Sequence, residues 1–85
     1  MIRAQYNKIL REAFESSIEV LGYSGKTLLI EDLENIGAYS KYDDRYLSLW
    51  EIGNGLKHLF GEEIAQMIME HVMIRMDKLY SLQGV

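Results

Sequence analysis

The chain has no cysteine and no proline. The first absence excludes disulfide scaffolds, thiolate nucleophiles and cysteine-built zinc sites together, and makes the cytosol the expected address. Basic charge is also scarce: nine lysines and arginines stand against thirteen aspartates and glutamates, a net charge of -4 at pH 7. That is the wrong sign for a protein whose main task is to neutralise phosphates, so nucleic acid is a disfavoured partner. No long apolar run is present. Met1, Ile2, Arg3 and Ala4 lead into alternating charged and apolar residues, the pattern of neither a signal peptide nor a membrane span. Internal repeats, low-complexity tracts and linkers are missing too. No stretch of four to eight residues alternates with a two-residue period and β-branched enrichment, so strands are not expected.

What is present is one domain's worth of chain: 85 residues, 48% of them apolar and 26% charged, read as a single unit over 1–85. A chain this short buries only about two-thirds of the surface its unfolded form exposes, so its core is thin unless a second copy or another protein covers more apolar area. Oligomerisation is therefore an open option from size alone.

Tyr6, Ile9, Leu10, Ala13, Phe14, Ser17, Ile18 and Leu21 recur at helical spacing with Lys8, Arg11, Glu12, Glu15 and Glu19 opposite, and Gly22 follows where a glycine stop is cheapest. Ser24 is then expected to cap a second helix with Leu29, Leu33 and Ile36 on its buried stripe, ending at Gly37. Ala38 to Asp43 has no period and reads as the longest loop. Asp43 or Asp44 is expected to cap a third helix carrying Tyr46, Leu49, Ile52, Leu56, Leu59 and Phe60. Within it, Gly53 and Gly55 each cost about 1 kcal/mol relative to alanine, which implies a bend near Gly53 or a closely packed neighbour. Gly61 ends that helix, and a last one runs from Glu62 to about Leu82, its acidic start matched to the helix dipole. The fold class is all-α, a compact bundle of four or five helices.

Candidate chemistry is thin. Gly25, Lys26 and Thr27 copy the end of a phosphate-binding loop, but Val20 fills the position of its first glycine and a helix, not a strand, precedes it. Gly53, Asn54 and Gly55 lack the third glycine of a dinucleotide fingerprint, with His58 in its place. His58 and His71 fall on different helices, neither in a zinc-holding pair, so no metal and no cofactor are expected. No nucleophile, base and orienting group can be picked out, and the chain reads as non-enzymatic. A DNA-reading third helix would offer only Arg45 and Lys57. The alternatives kept open are a dimeric transcription-associated protein that gathers Arg3, Lys8 and Arg11 into a DNA-contacting patch, and a nucleotide binder or small enzyme using Lys26 and Thr27.

The last helix is the richest segment. Ala65, Ile68, Met69, Val72, Met73, Met76, Leu79 and Tyr80 cover a broad arc, while Met67 and Ile74 lie beyond a narrow polar stripe of Gln66, Glu70 and Asp77. One core cannot cover both sides, and methionines suit an adaptable contact surface. Met67, His71, Met73 and Ile74 are the expected interface residues, with Tyr39, Tyr42 and Trp50 as aromatic anchors near the long loop. For Trp50, core filling is the favoured alternative.

The turn Leu21, Gly22, Tyr23, Ser24, Gly25, Lys26, the helix from Thr27 to Ile36 ending at Gly37, the break at Leu59, Phe60 and Gly61, and a final helix closing near Leu79 and Tyr80 together span most of the chain. With the amphipathic first helix, they give a sequence that resembles small archaeal all-helical domains of the Nitrosopumilus output-domain type. The resemblance implies a regulatory, signal-output or partner-binding module with no catalytic residues to transfer. The tyrosine-rich stretch from Tyr39 to Tyr46 and the glycines Gly53 and Gly55 depart from that pattern.

Overall fold

A computed structural model describes residues 3–42 and 44–82. Among these residues the chain is entirely helical in its regular structure. Helix α1 spans Arg3–Ser17, a 3-10 turn spans Glu19–Leu21, and helices α2, α3 and α4 span Gly22–Asn35, Leu49–Phe60 and Glu62–Leu82. The all-α expectation is met at that level. The number of separate bodies is a finer matter, because no loop separates α1, the 3-10 turn and α2, which form one bent run over 3–35.

Glycines make the corners that a proline-free chain needs. Gly22 (φ 78°, ψ 171°) and Gly61 (φ 89°, ψ 172°) adopt the same extended positive-φ conformation, which residues with a Cβ avoid. Gly61 closes α3 by donating its N–H to the Lys57 carbonyl (2.8 Å) and opens α4 by accepting from the Ala65 N–H (3.2 Å). Gly37 (φ 76°) ends α2 in a Schellman pair, Gly37 N–H to Glu34 C=O and Ala38 N–H to Leu33 C=O. Whereas α1 ends at Ser17 and Gly22 closes the 3-10 turn that follows it, the stops at Gly37 and Gly61 fall where the sequence places them.

Two starts do not. Ser24 lies inside α2, exposed and making no cap, because the Gly22 corner itself opens that helix. Helix α3 begins at Leu49, capped by Ser48, whose Oγ accepts from the Glu51 N–H. Tyr46 and Leu47 therefore belong to the loop. Asp44 is not its cap, and Asp43 lies outside the described residues.

Helix α4 is the spine. At about 1.5 Å per residue its 21 residues reach about 31 Å, most of the molecule's 35 Å length. It packs along α1 on one side and α3 on the other, whereas α2 docks on the 3-10 turn and, by its C-terminal end, on the middle of α3, and makes no substantial contact with α4. The core joins Leu10, Phe14, Ile18, Leu33, Ile52, Leu56 and Val72. Helix α3 runs unbroken through Gly53 and Gly55. Gly55 is where α2 comes close: a Cβ there would stand 2.7 Å from Leu33 Cδ2 and 3.0 Å from Ala38 Cβ. The bend expected near Gly53 is replaced by this close approach two residues on.

The long loop is held down from α1. Asn7, fully buried, donates through Nδ2 to the Arg45 carbonyl (2.7 Å) and accepts at Oδ1 from the Leu47 N–H (2.9 Å). Arg11 Nη2 donates to the carbonyls of Ser40 (3.3 Å) and Tyr42 (3.4 Å). No described helix is long and apolar enough to cross a membrane.

Candidate docking surface

Because α4 has only two companions, its third side is bare. Met67 (61% exposed) and Ile74 (55%) stand outside, with Ile64 and His71 on the same face. The buried side of the same helix is Ala65, Val72 and Met76, with Ile68, Met69, Leu79 and Tyr80 half-buried around them. The geometry thus divides the helix as its sequence suggests, into a core arc and a second apolar arc that this chain leaves uncovered.

Beside that face runs a trough between α1 and α4. Its upper part, about 480 Å³, is lined by Ser16, Ser17, Val20, Ile64, Met67, His71 and Arg75 among others. A second hollow of about 440 Å³ continues it past Ala13, Ser16, Arg75, Lys78 and Leu82. Small side chains on α1 make the trough, since Ala13, Ser16 and Ser17 leave room that larger residues would fill. Val20, on the 3-10 turn, is 89% exposed at its rim. Neither Val20 nor Ile64 is among the residues that sequence reasoning selects. The signal for both was present, as valine in the apolar pair that follows Glu19 and as isoleucine one helical turn before Met67 and Ile68, but their faces depend on how α1 and α4 cross.

The other expected anchors divide. Met67, His71 and Ile74 share one face, while Met73 is exposed on the α3 side, one turn beyond Met69. Trp50 is 74% exposed between two shallow grooves, one with Gly53, Ala65 and Met69, the other with Ile36, Ala38 and His58. Core filling is therefore not its role. Tyr42 is exposed on the loop and lines neither groove. Tyr39 is the correction: at 2% exposed it is a core residue, tilted against Phe14 with ring centroids 5.1 Å apart, and its hydroxyl donates to Glu15 Oε2 at 2.7 Å. It is not presented to any partner in this fold. Burial first, then the Glu15 carboxylate, pushes its phenol well above the ordinary tyrosine range.

The remaining motifs are not brought together: Lys26 lines a shallow hollow with Lys8, Arg11, Glu12, Glu15 and Glu19, and Gly53, Asn54 and Gly55 lie in the helix beneath Trp50. Gly25, Lys26 and Thr27 lie inside α2, and the Lys26 ammonium is 4.0 Å from both the Glu15 and Glu19 carboxylates. His58 and His71 are exposed on different helices, and among the described residues no three His, Asp or Glu side chains converge as a metal site would require. Compared with protein-family models, curated proteins and solved structures, the chain gives no match.

Proposed function

We propose that this protein is a non-enzymatic interaction module of the cytosol that self-associates through the outer face of α4 and serves a regulatory or signal-output role. The observation that carries the reading is the pair Met67 and Ile74, both more than half exposed on a helix whose opposite side already fills the core. Large apolar side chains grouped on one face, flanked by an open trough, are the mark of a surface that a second protein covers. The resemblance to small helical output domains supports the regulatory part of the reading. It rests on the turn at Gly22, the stop at Gly37 and the break at Gly61.

Sedimentation across a concentration series is the test. The wild type is expected to move from monomer to dimer in the micromolar range. Met67→Glu with Ile74→Glu is expected to remain monomeric at all concentrations while keeping the helical circular dichroism of the wild type, since neither side chain is buried. A wild-type chain that stays a strict monomer at high micromolar concentration overturns the reading.

A further inference from the structure

Ile64, Met67, His71, Ile74 and Lys78 follow one another along α4 at steps of three, four, three and four residues, and all five are exposed. This is the a and d spacing of a coiled-coil seam, laid on the side of the helix that faces away from the bundle core. It runs for about 21 Å at 1.5 Å per residue. The two flanks of the seam differ in charge. On the trough side, at the e positions, stand Ile68, Arg75 and Leu82. On the other side, at the g positions, stand Glu63, Glu70 and Asp77, all exposed.

Resting on the self-association reading above, we propose that a second copy docks with its α4 parallel to and in register with the first, so that Glu70 of each chain meets the partner's Arg75. Charge decides the orientation. In a parallel pair each g flank faces the partner's e flank, which gives two Glu70–Arg75 contacts related by the two-fold axis and sets the other acids against Ile68 and Leu82. In an antiparallel pair g flanks face g flanks, and Glu70 is set against the partner's Asp77 twice, a larger repulsion than the one Lys78–Lys78 encounter of the parallel pair, which has the partner's Asp77 beside it. The seam also carries its own register mark. His71 and Lys78 are the polar residues of the seam, set among Ile64, Met67 and Ile74. In register His71 meets the partner's His71, one imidazole N–H donating to the other ring's free nitrogen, whereas a one-heptad slip sets one His71 against Ile64 and the other against Lys78. The small residues Ala13 and Ser16 leave the trough open beside Arg75 and Lys78, with Glu12 also lining it.

Charge reversal tests this on the whole chain by sedimentation equilibrium. Glu70→Arg alone and Arg75→Glu alone are each expected to weaken the dimer about five- to tenfold, because attraction becomes repulsion at two symmetric contacts. The double variant, and an equimolar mixture of the two single variants, are expected to return to within about threefold of the wild type. In addition, a nitroxide on Ser81→Cys, the only thiol in an otherwise cysteine-free chain, is expected to give a short inter-label distance. An antiparallel pair centred on the seam would hold the labels about 25 Å apart. Tighter binding by Glu70→Arg, or the long label distance, overturns the parallel arrangement while leaving self-association through this face standing. A dimer indifferent to all charge variants also overturns it. A wild type that never dimerises overturns the earlier reading and this one together.

Discussion

Asn7 is the one fully buried polar side chain among the described residues, and both ends of its amide are engaged by the loop backbone at Arg45 and Leu47. Asn7→Ala leaves a buried N–H and a buried carbonyl without that partner, so a loss of about 1–3 kcal/mol is expected, read as a lower urea midpoint with an unchanged m-value. Tyr39 gives a pH-dependent counterpart. Its phenol is raised in the folded chain by burial and by the Glu15 carboxylate, so the folded state favours the protonated form. The stabilisation is complete below the ordinary tyrosine value of about 10 and is lost as the pH rises beyond it. Thermal melts between pH 8 and 11 are expected to show a steeper alkaline decline for the wild type than for Tyr39→Phe, although the variant starts lower for want of the bond to Glu15. Nothing in the local sequence marks either residue. Asn7 looks like an ordinary polar position near a helix start, and Tyr39 sits in a polar stretch that reads as surface. Their partners lie 24 to 40 residues away, and long-range pairing of this kind leaves no periodic trace.

Among the elements, helix ends were legible where glycine makes the stop and illegible where a polar side chain makes the start. Gly37 and Gly61 could be read because positive φ is cheap only for glycine, whereas Ser24, Asp44 and Ser48 all qualify equally as caps by residue type. Tyr46 and Leu49 are three apart and imitate one more turn of α3, but the extended Ser48 cap and the Asn7 clamp on the backbone at Arg45 and Leu47 keep Tyr46 and Leu47 out of the helix. Trp50 is instructive in another way. The stripe Leu49, Ile52, Leu56 and Leu59 already puts it on the far side of α3, so periodicity outweighs the general tendency of tryptophan toward burial. The two mid-helix glycines of α3 should respond in opposite senses to the same change. Gly53→Ala would set its new methyl 3.7 Å from Met69 Cγ, an ordinary contact, and is expected to stabilise by about 0.5–1 kcal/mol through helix propensity. Gly55→Ala would drive a methyl into Leu33 and Ala38, and a net loss of about 1–3 kcal/mol is expected. Paired chemical denaturation of the two variants checks both signs.

At the scale of the molecule, the arrangement follows from α4 having two neighbours instead of three. The sequence shows that this helix has more apolar surface than one core can hide, and it shows nothing of which helix would stand aside. That is settled by the Gly22 corner, which turns α2 away from α1, and by Gly55, which lets the C-terminal end of α2 seat against the middle of α3. The Asn7 clamp has a further consequence for how the molecule opens. The Leu47 amide sits in a segment with no regular structure, yet its hydrogen is held by a side chain from a helix forty residues earlier. Local fraying of the loop cannot release it; α1 must first lift from the rest. Native-state hydrogen exchange is therefore expected to rank this lone amide with the slowest helical ones, and to return it to loop-like rates in Asn7→Ala.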